Sequence, residues 1–160
     1  MAAAKAKKAT KKRAGAKHIV RALKLKPHPE GGHYRETWRH KPKAGERGAG
    51  TAIYYLLEWG EESHWHRIDA VEIWHHYTGA ALALKIMGAN GRIRTVRLGP
   101  RVHAGERPHA IVPKGAWQSA RPLGDWSLVG CTVSPAFDFA GFEMAPDGFV
   151  PGKRRPKRKP

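Results

Sequence analysis

Gly60-Glu-Glu-Ser-His-Trp-His-Arg-Ile-Asp-Ala-Val-Glu-Ile-Trp-His-His-Tyr-Thr-Gly79 is the stretch on which the fold turns. It contains two short runs, 63–68 and 71–78, rich in aromatic and β-branched residues and bounded by glycine, the signature of paired strands. Side chains alternate along a strand, so His64 and His66 are expected to face the same side of a sheet. A hairpin through Asp69-Ala70 would return Glu72 alongside them. Two imidazoles and one carboxylate converging inside a barrel form a facial donor set for a divalent transition metal, and iron, manganese, nickel, zinc and copper all suit it.

Working outward, the same grammar continues. Extended segments are expected at 32–40, 52–59, 80–87, 92–98, 109–113, 117–121 and 126–134, with turn signals between them. Asn90-Gly91 between two such segments is the strongest hairpin mark. In 32–40, Tyr34, Glu36 and Trp38 alternate with His33, Arg35 and Thr37, and the run 52–59 is apolar enough for a strand covered on both faces. Helical spacing occurs only over 18–26, before Pro27 and Pro29. So many short strands with so little helix indicate an all-β sandwich or barrel. A further piece, Pro113-Lys-Gly-Ala-Trp-Gln118, sets a polar side chain at the start of a strand.

Composition limits what such a barrel can be. The chain has 160 residues, 41% of them hydrophobic, with six tryptophans, enough for one core. No run of eighteen apolar residues exists, so a membrane-spanning helix is excluded, and the basic N-terminus lacks the apolar core of a secretory signal. The lone Cys131 fits a reducing compartment, and a cytoplasmic location is expected. Thirty Lys and Arg against thirteen Asp and Glu give a net charge of +17, which taken whole suggests nucleic acid. Its distribution changes that. Residues 1–17 hold Lys5, Lys7, Lys8, Lys11, Lys12, Arg13 and Lys17 and no acid; residues 151–160 hold Lys153, Arg154, Arg155, Lys157, Arg158 and Lys159, again with no acid. Removing these thirteen from seventeen leaves +4 on residues 18–150, read as a single domain between two disordered basic tails. The tails suit non-specific, salt-sensitive binding of a polyanion such as nucleic acid, or mere solubility.

The ordered series of motifs resembles the cupin superfamily. Gly60, His64-x-His66, Glu72 and Gly79 are similar to the first cupin motif with one extra residue before the glutamate. Pro113-x-Gly115-x2-Gln118 is similar to the second, with glutamine where the metal-binding histidine usually stands. His28-Pro-Glu-Gly-Gly32 with Tyr34-Arg-Glu36 resembles the opening of a compact cupin branch. So do Ala52-Ile-Tyr-Tyr-Leu56, Trp65-His-Arg67, Glu72-Ile-Trp74, Val112-Pro-Lys-Gly-Ala-Trp-Gln118, Leu128-Val-Gly-Cys-Thr-Val133 and Phe137-Asp-Phe139. The resemblance spans residues 18–145 and implies a double-stranded β-helix, or jelly roll, with a pocket inside the barrel and a homodimer. It does not carry one reaction with it.

By that resemblance His64, His66, Glu72 and Gln118 occupy the metal positions, and two chemistries stay open. Three residues and water could hold a metal, the neutral Gln118 amide being a poorer ligand than imidazole. Alternatively the site is metal-free and epimerase-like. His66 would then abstract a proton next to a carbonyl, with Glu72 beside it, and Tyr54, Tyr55 or Tyr77 would return one; Tyr55 is carried forward. Arg35, Trp74, His76, Trp117 and Gln118 are the expected ligand contacts. His75 is expected to be structural, Cys131 a buried inert thiol, and Glu30 a turn residue capping backbone amides. Whether the protein is an enzyme is left open between an isomerase-like or metal-dependent cupin and a non-catalytic binding or sensor protein for a small polar ligand, sugar-like or an organic acid.

Overall fold

The computed structural model describes residues 15–149, 151 and 152; of the basic tails 1–17 and 151–160, to which polyanion binding is assigned, 1–14 and 153–160 lie outside the described residues, while 15–17, expected to be disordered, belong to a helix. Residues 15–22 form a helix, α1. It starts earlier than the 18–26 expected, because Ala16, fully buried, extends the apolar stripe of Ile19, Val20 and Leu23 onto Leu25, Leu56 and Leu128. It also stops sooner than the prolines require. Lys24 takes the left-handed conformation at φ 53°, Leu25 N–H bonds Val20 O at 2.9 Å and Lys24 N–H bonds Arg21 O at 3.2 Å, a Schellman closure without glycine.

Among the described residues eleven strands follow: β1 Lys26–Pro27, β2 His33–Arg39, β3 Thr51–Glu58, β4 Ser63–Ile68, β5 Val71–Gly79, β6 Leu82–Met87, β7 Ile93–Leu98, β8 His109–Val112, β9 Trp117–Pro122, β10 Trp126–Ser134 and β11 Phe142–Met144. They form two antiparallel sheets, ordered β1-β2-β3-β10-β5-β8 and β11-β4-β9-β6-β7, the two layers of the expected jelly roll. β1 and β11, at two and three residues, are too short to show any alternation in sequence. Tyr55, Leu57, Trp74, Val129 and Cys131 of the first sheet meet Leu82, Leu84, Ile86, Leu98 and Ala120 of the second in the core.

Three bulges decide which side chains point inward. In β4, Ser63 pairs with Ala120 and His66 with Gln118, so three steps on one strand match two on the other. The extra residue breaks the alternation, so Ser63 and His66 are buried together and His64 does not share the inward face of His66. In β2 the register shifts between Glu36 and Trp38, which leaves Trp38 exposed and brings Arg39 round to the side of Tyr34 and Glu36. In β5 the partners of Leu128 and Val129 are Thr78 and His76, so Tyr77 is skipped and lies against Gly130 outside the sheet.

The loop between β1 and β2 is a tight turn in which His28 N–H bonds Gly32 O at 2.9 Å and Gly31 N–H bonds His28 O at 3.0 Å. Gly32 sits at φ +72°, and a Cβ there would come within 2.5 Å of Leu56 O. Gly32→Ala should therefore lower unfolding stability by about 2 kcal/mol or more, combining left-handed strain with a backbone clash, as read by chemical denaturation.

Candidate functional site

Between the sheets lies a cavity of about 240 Å3. The β1–β2 turn supplies His28 and Glu30, β4 supplies His66, β5 supplies Glu72 and β10 supplies Cys131. Phe137, Phe139 and Phe142 form an apolar wall, their rings meeting edge to face.

His66 is the best-fixed polar group. It is 3% exposed and its ring stacks on Phe142 at 5.6 Å. Its Nδ1 is 2.7 Å from the backbone oxygen of His64 and 3.0 Å from Glu30 Oε2. A carbonyl oxygen only accepts, so Nδ1 carries the hydrogen and Nε2 keeps the lone pair. Burial holds the imidazole pKa below its usual value, so the ring is neutral at neutral pH.

Glu30 accepts from Ser63 Oγ at 3.2 Å, and burial pushes its pKa up to about 8. A protonated carboxyl thus stands beside a neutral imidazole. His28 accepts Glu30 N–H on its Nδ1 at 3.2 Å, and burial followed by the neighbouring His66 lowers its pKa to about 4. Tyr55, buried behind the turn, donates its hydroxyl hydrogen to Gly31 O at 2.7 Å. That places Tyr55 as the brace of the turn carrying Glu30.

Glu72 is held by a chain of buried hydrogen bonds. Trp74 Nε1, which can only donate, bonds Gln118 Oε1 at 2.8 Å, and this fixes the amide so that its nitrogen donates to Glu72 Oε2 at 2.5 Å. Burial pushes the Glu72 carboxyl up, and also the Cys131 thiol, to which the Glu72 charge adds.

Of the candidate metal set, only His66 and Glu72 line the cavity. His64 Nε2 is 3.0 Å from Ala145 O, and Gln118 gives its oxygen to Trp74. Among the described residues no group of three or more His, Cys, Asp and Glu side chains is arranged to hold a metal ion. The donor set implied for a metal therefore does not fit the geometry. The other expected contacts are dispersed. Arg35 lies over the Tyr54 ring, which meets Tyr77 edge on, and His76 Nε2 is 3.0 Å from Ala80 O. Trp117 is enclosed by Arg67 and Phe149, while Trp74 and Gln118 are fully buried and support Glu72 without lining the cavity. His75 bonds Thr132 Oγ1.

Glu30, His28, Tyr34, Arg39 and the three phenylalanines are additions to the set expected from sequence, and of the neighbours Arg35 and Glu36, only one of which can face the barrel, it is Glu36 that lines the cavity. Glu30 had a visible signal: a carboxylate before two glycines, followed by inward Tyr34 and Glu36. Arg39 had none, since the bulge in β2 hides its phase.

A carboxyl whose pKa rises on folding holds its proton more tightly in the folded chain. Its contribution to stability is full below about pH 4.5 and is lost as pH rises toward about 8. Glu30→Gln removes this dependence. Melting temperatures measured from pH 5 to 8 should fall less in the variant than in the wild type; equal falls would show that Glu30 is not the buried neutral acid described.

Comparison with known proteins agrees with this architecture. The family model described as Cupin superfamily (DUF985) matches residues 17–145. An X-ray structure of a protein from Shewanella oneidensis is 39% identical, with 80% of this chain and 82% of that chain covered and a TM-score of 0.76. A hypothetical protein from Leishmania major is 33% identical, with 81% and 86% covered and a TM-score of 0.75. Oxalate decarboxylase from Bacillus subtilis is 15% identical, with 74% of this chain and 29% of that chain covered and a TM-score of 0.59, a likeness of fold alone. No curated protein matches. With its motifs in order and the family model running the length of the barrel, the chain belongs to the cupin superfamily, in the DUF985 family.

Proposed function

We propose that the cavity binds a small polar carbonyl compound and moves a proton on it, an isomerase-like activity. His66 Nε2 takes a proton from the carbon next to the carbonyl. The C–H electron pair becomes the carbon–carbon double bond of an enediol as Glu30 gives its proton to the carbonyl oxygen. The imidazolium returns its proton to carbon, on either face or at the neighbouring carbon, while an enediol hydroxyl gives its proton back to Glu30 and its oxygen becomes the carbonyl of the product, which completes epimerisation or isomerisation. Glu72, pinned by Gln118, steadies the imidazolium while it carries the proton. Tyr55 positions Glu30 and stays outside the proton path, because its hydrogen is committed to Gly31 O. The observation that carries this reading is the buried His66 ring, hydrogen-bonded through Nδ1 and lining the cavity beside Glu30.

The wider reading includes a cytoplasmic homodimer. Exposed Trp38, Val71, Tyr77 and Ile111 on the six-stranded sheet support a second copy, since apolar side chains exposed together on one sheet suit an interface. Among the described residues no helix is long and apolar enough to cross a membrane. Polyanion contact through the basic tails stays a proposal of the same kind.

The test is deuterium wash-in. Full-length protein incubated in D2O with a panel of small hydroxy-carbonyl compounds should introduce deuterium at the carbon next to the carbonyl, seen by NMR. His66→Gln should slow it by about 100-fold or more, the usual worth of a positioned base, while melting as cooperatively as the wild type. Wash-in by the variant at the wild-type rate would contradict the role of His66. A compound bound but returned unlabelled would favour the binding-protein reading.

A further inference from the structure

Among the described residues carboxyl groups outnumber arginine and lysine in the cavity lining. Three carboxyl side chains reach it: Glu30 and Glu72, 8% and 7% exposed, and Glu36 nearer the rim. Among the described residues Arg39 is the only arginine or lysine that lines it, and each of its three nitrogens already donates a hydrogen bond. Its Nε and Nη2 hold both oxygens of Glu36, at 2.9 and 2.7 Å, and its Nη1 holds Phe137 O at 2.9 Å. An incoming carboxylate or phosphate would meet carboxyl groups on several sides and, among the described residues, no arginine or lysine without a partner, and an anion taken out of water without a partner binds poorly.

Hydroxyl groups suit the same lining. They donate to carboxyl oxygens and accept from N–H and O–H groups, while the phenylalanine wall offers an apolar surface for the C–H face of a ring or chain. Size adds a second limit. A cavity of about 240 Å3 lies below the roughly 300–1,000 Å3 of sites that hold drug-sized ligands, so a nucleotide appendage would not be enclosed.

We propose that the ligand is an uncharged polyhydroxylated carbonyl compound, a free monosaccharide or a close relative, and that the Glu36–Arg39 pair makes the site select against the corresponding acids and phosphate esters. This rests on the cavity being the ligand site, as argued above. It narrows the ligand from sugar-like or organic acid to the neutral class.

The experiment is a matched titration on the full chain at pH 7.5 and fixed salt. Xylose, arabinose, glucose and mannose are each compared with their aldonic acids and terminal phosphate esters by calorimetry, in the wild type, Glu36→Gln and His66→Gln. At least one free sugar should bind, with its acid and phosphate at least about tenfold weaker. Glu36→Gln, which frees Arg39, should narrow that gap, and His66→Gln should weaken sugar binding. Acids or phosphates that bind as tightly as the free sugar, and lose affinity in His66→Gln, would overturn the ligand class and leave the cavity as the site. Binding by no member of the panel, or binding that His66→Gln leaves unchanged, would overturn both.

Discussion

Burying ionisable groups between two sheets imposes the constraint from which the site follows. A carboxyl or imidazole removed from water must be hydrogen-bonded or neutral, or it costs several kcal/mol. Here each is given a partner of fixed direction. His66 is satisfied at Nδ1 by a backbone carbonyl, Glu30 by Ser63 and His66, and Glu72 by Gln118, itself held by Trp74. The last chain also crosses the sandwich, since Glu72 and Trp74 lie on β5 of one sheet and Gln118 on β9 of the other. Burial then does chemical work: it raises Glu30 and lowers His66, which leaves a neutral acid beside a neutral base.

Aiming these groups depends on irregularities in the strands. Without the extra residue in β4, His64 and His66 would share a face, and Ser63 could not stand with His66 over Glu30. The bulge in β2 does the same for Arg39, and so builds its ion pair with Glu36 at the rim. Bulges near functional sites serve to re-aim side chains, and both here fall on strands that line the cavity.

This explains what was legible in the sequence. The fold was, because nine strands carry the alternation or apolar runs that burial between sheets demands, and turn residues separate them. Their register was not, because a bulge leaves no mark in residue type. His66 and Glu72 were found because each lies on a strand whose phase can be counted. His64 was placed with them by an alternation that the bulge breaks. Glu30 was read for its turn and not for its carboxyl, since its burial depends on contacts with Ser63 and His66, more than thirty residues away. Gln118, out of pattern for a metal ligand, makes physical sense as the amide that joins an indole N–H to a carboxylate.

The central claim is that His66 is a neutral imidazole with its hydrogen on Nδ1 and its lone pair on Nε2. Nitrogen-15 NMR of the histidine side chains, with His66 assigned by its absence in His66→Gln, reads this directly. The account predicts the Nδ1–H tautomer, with the neutral ring prevailing from pH 7 to 8. An Nε2–H tautomer, or an imidazolium at pH 7, would contradict it.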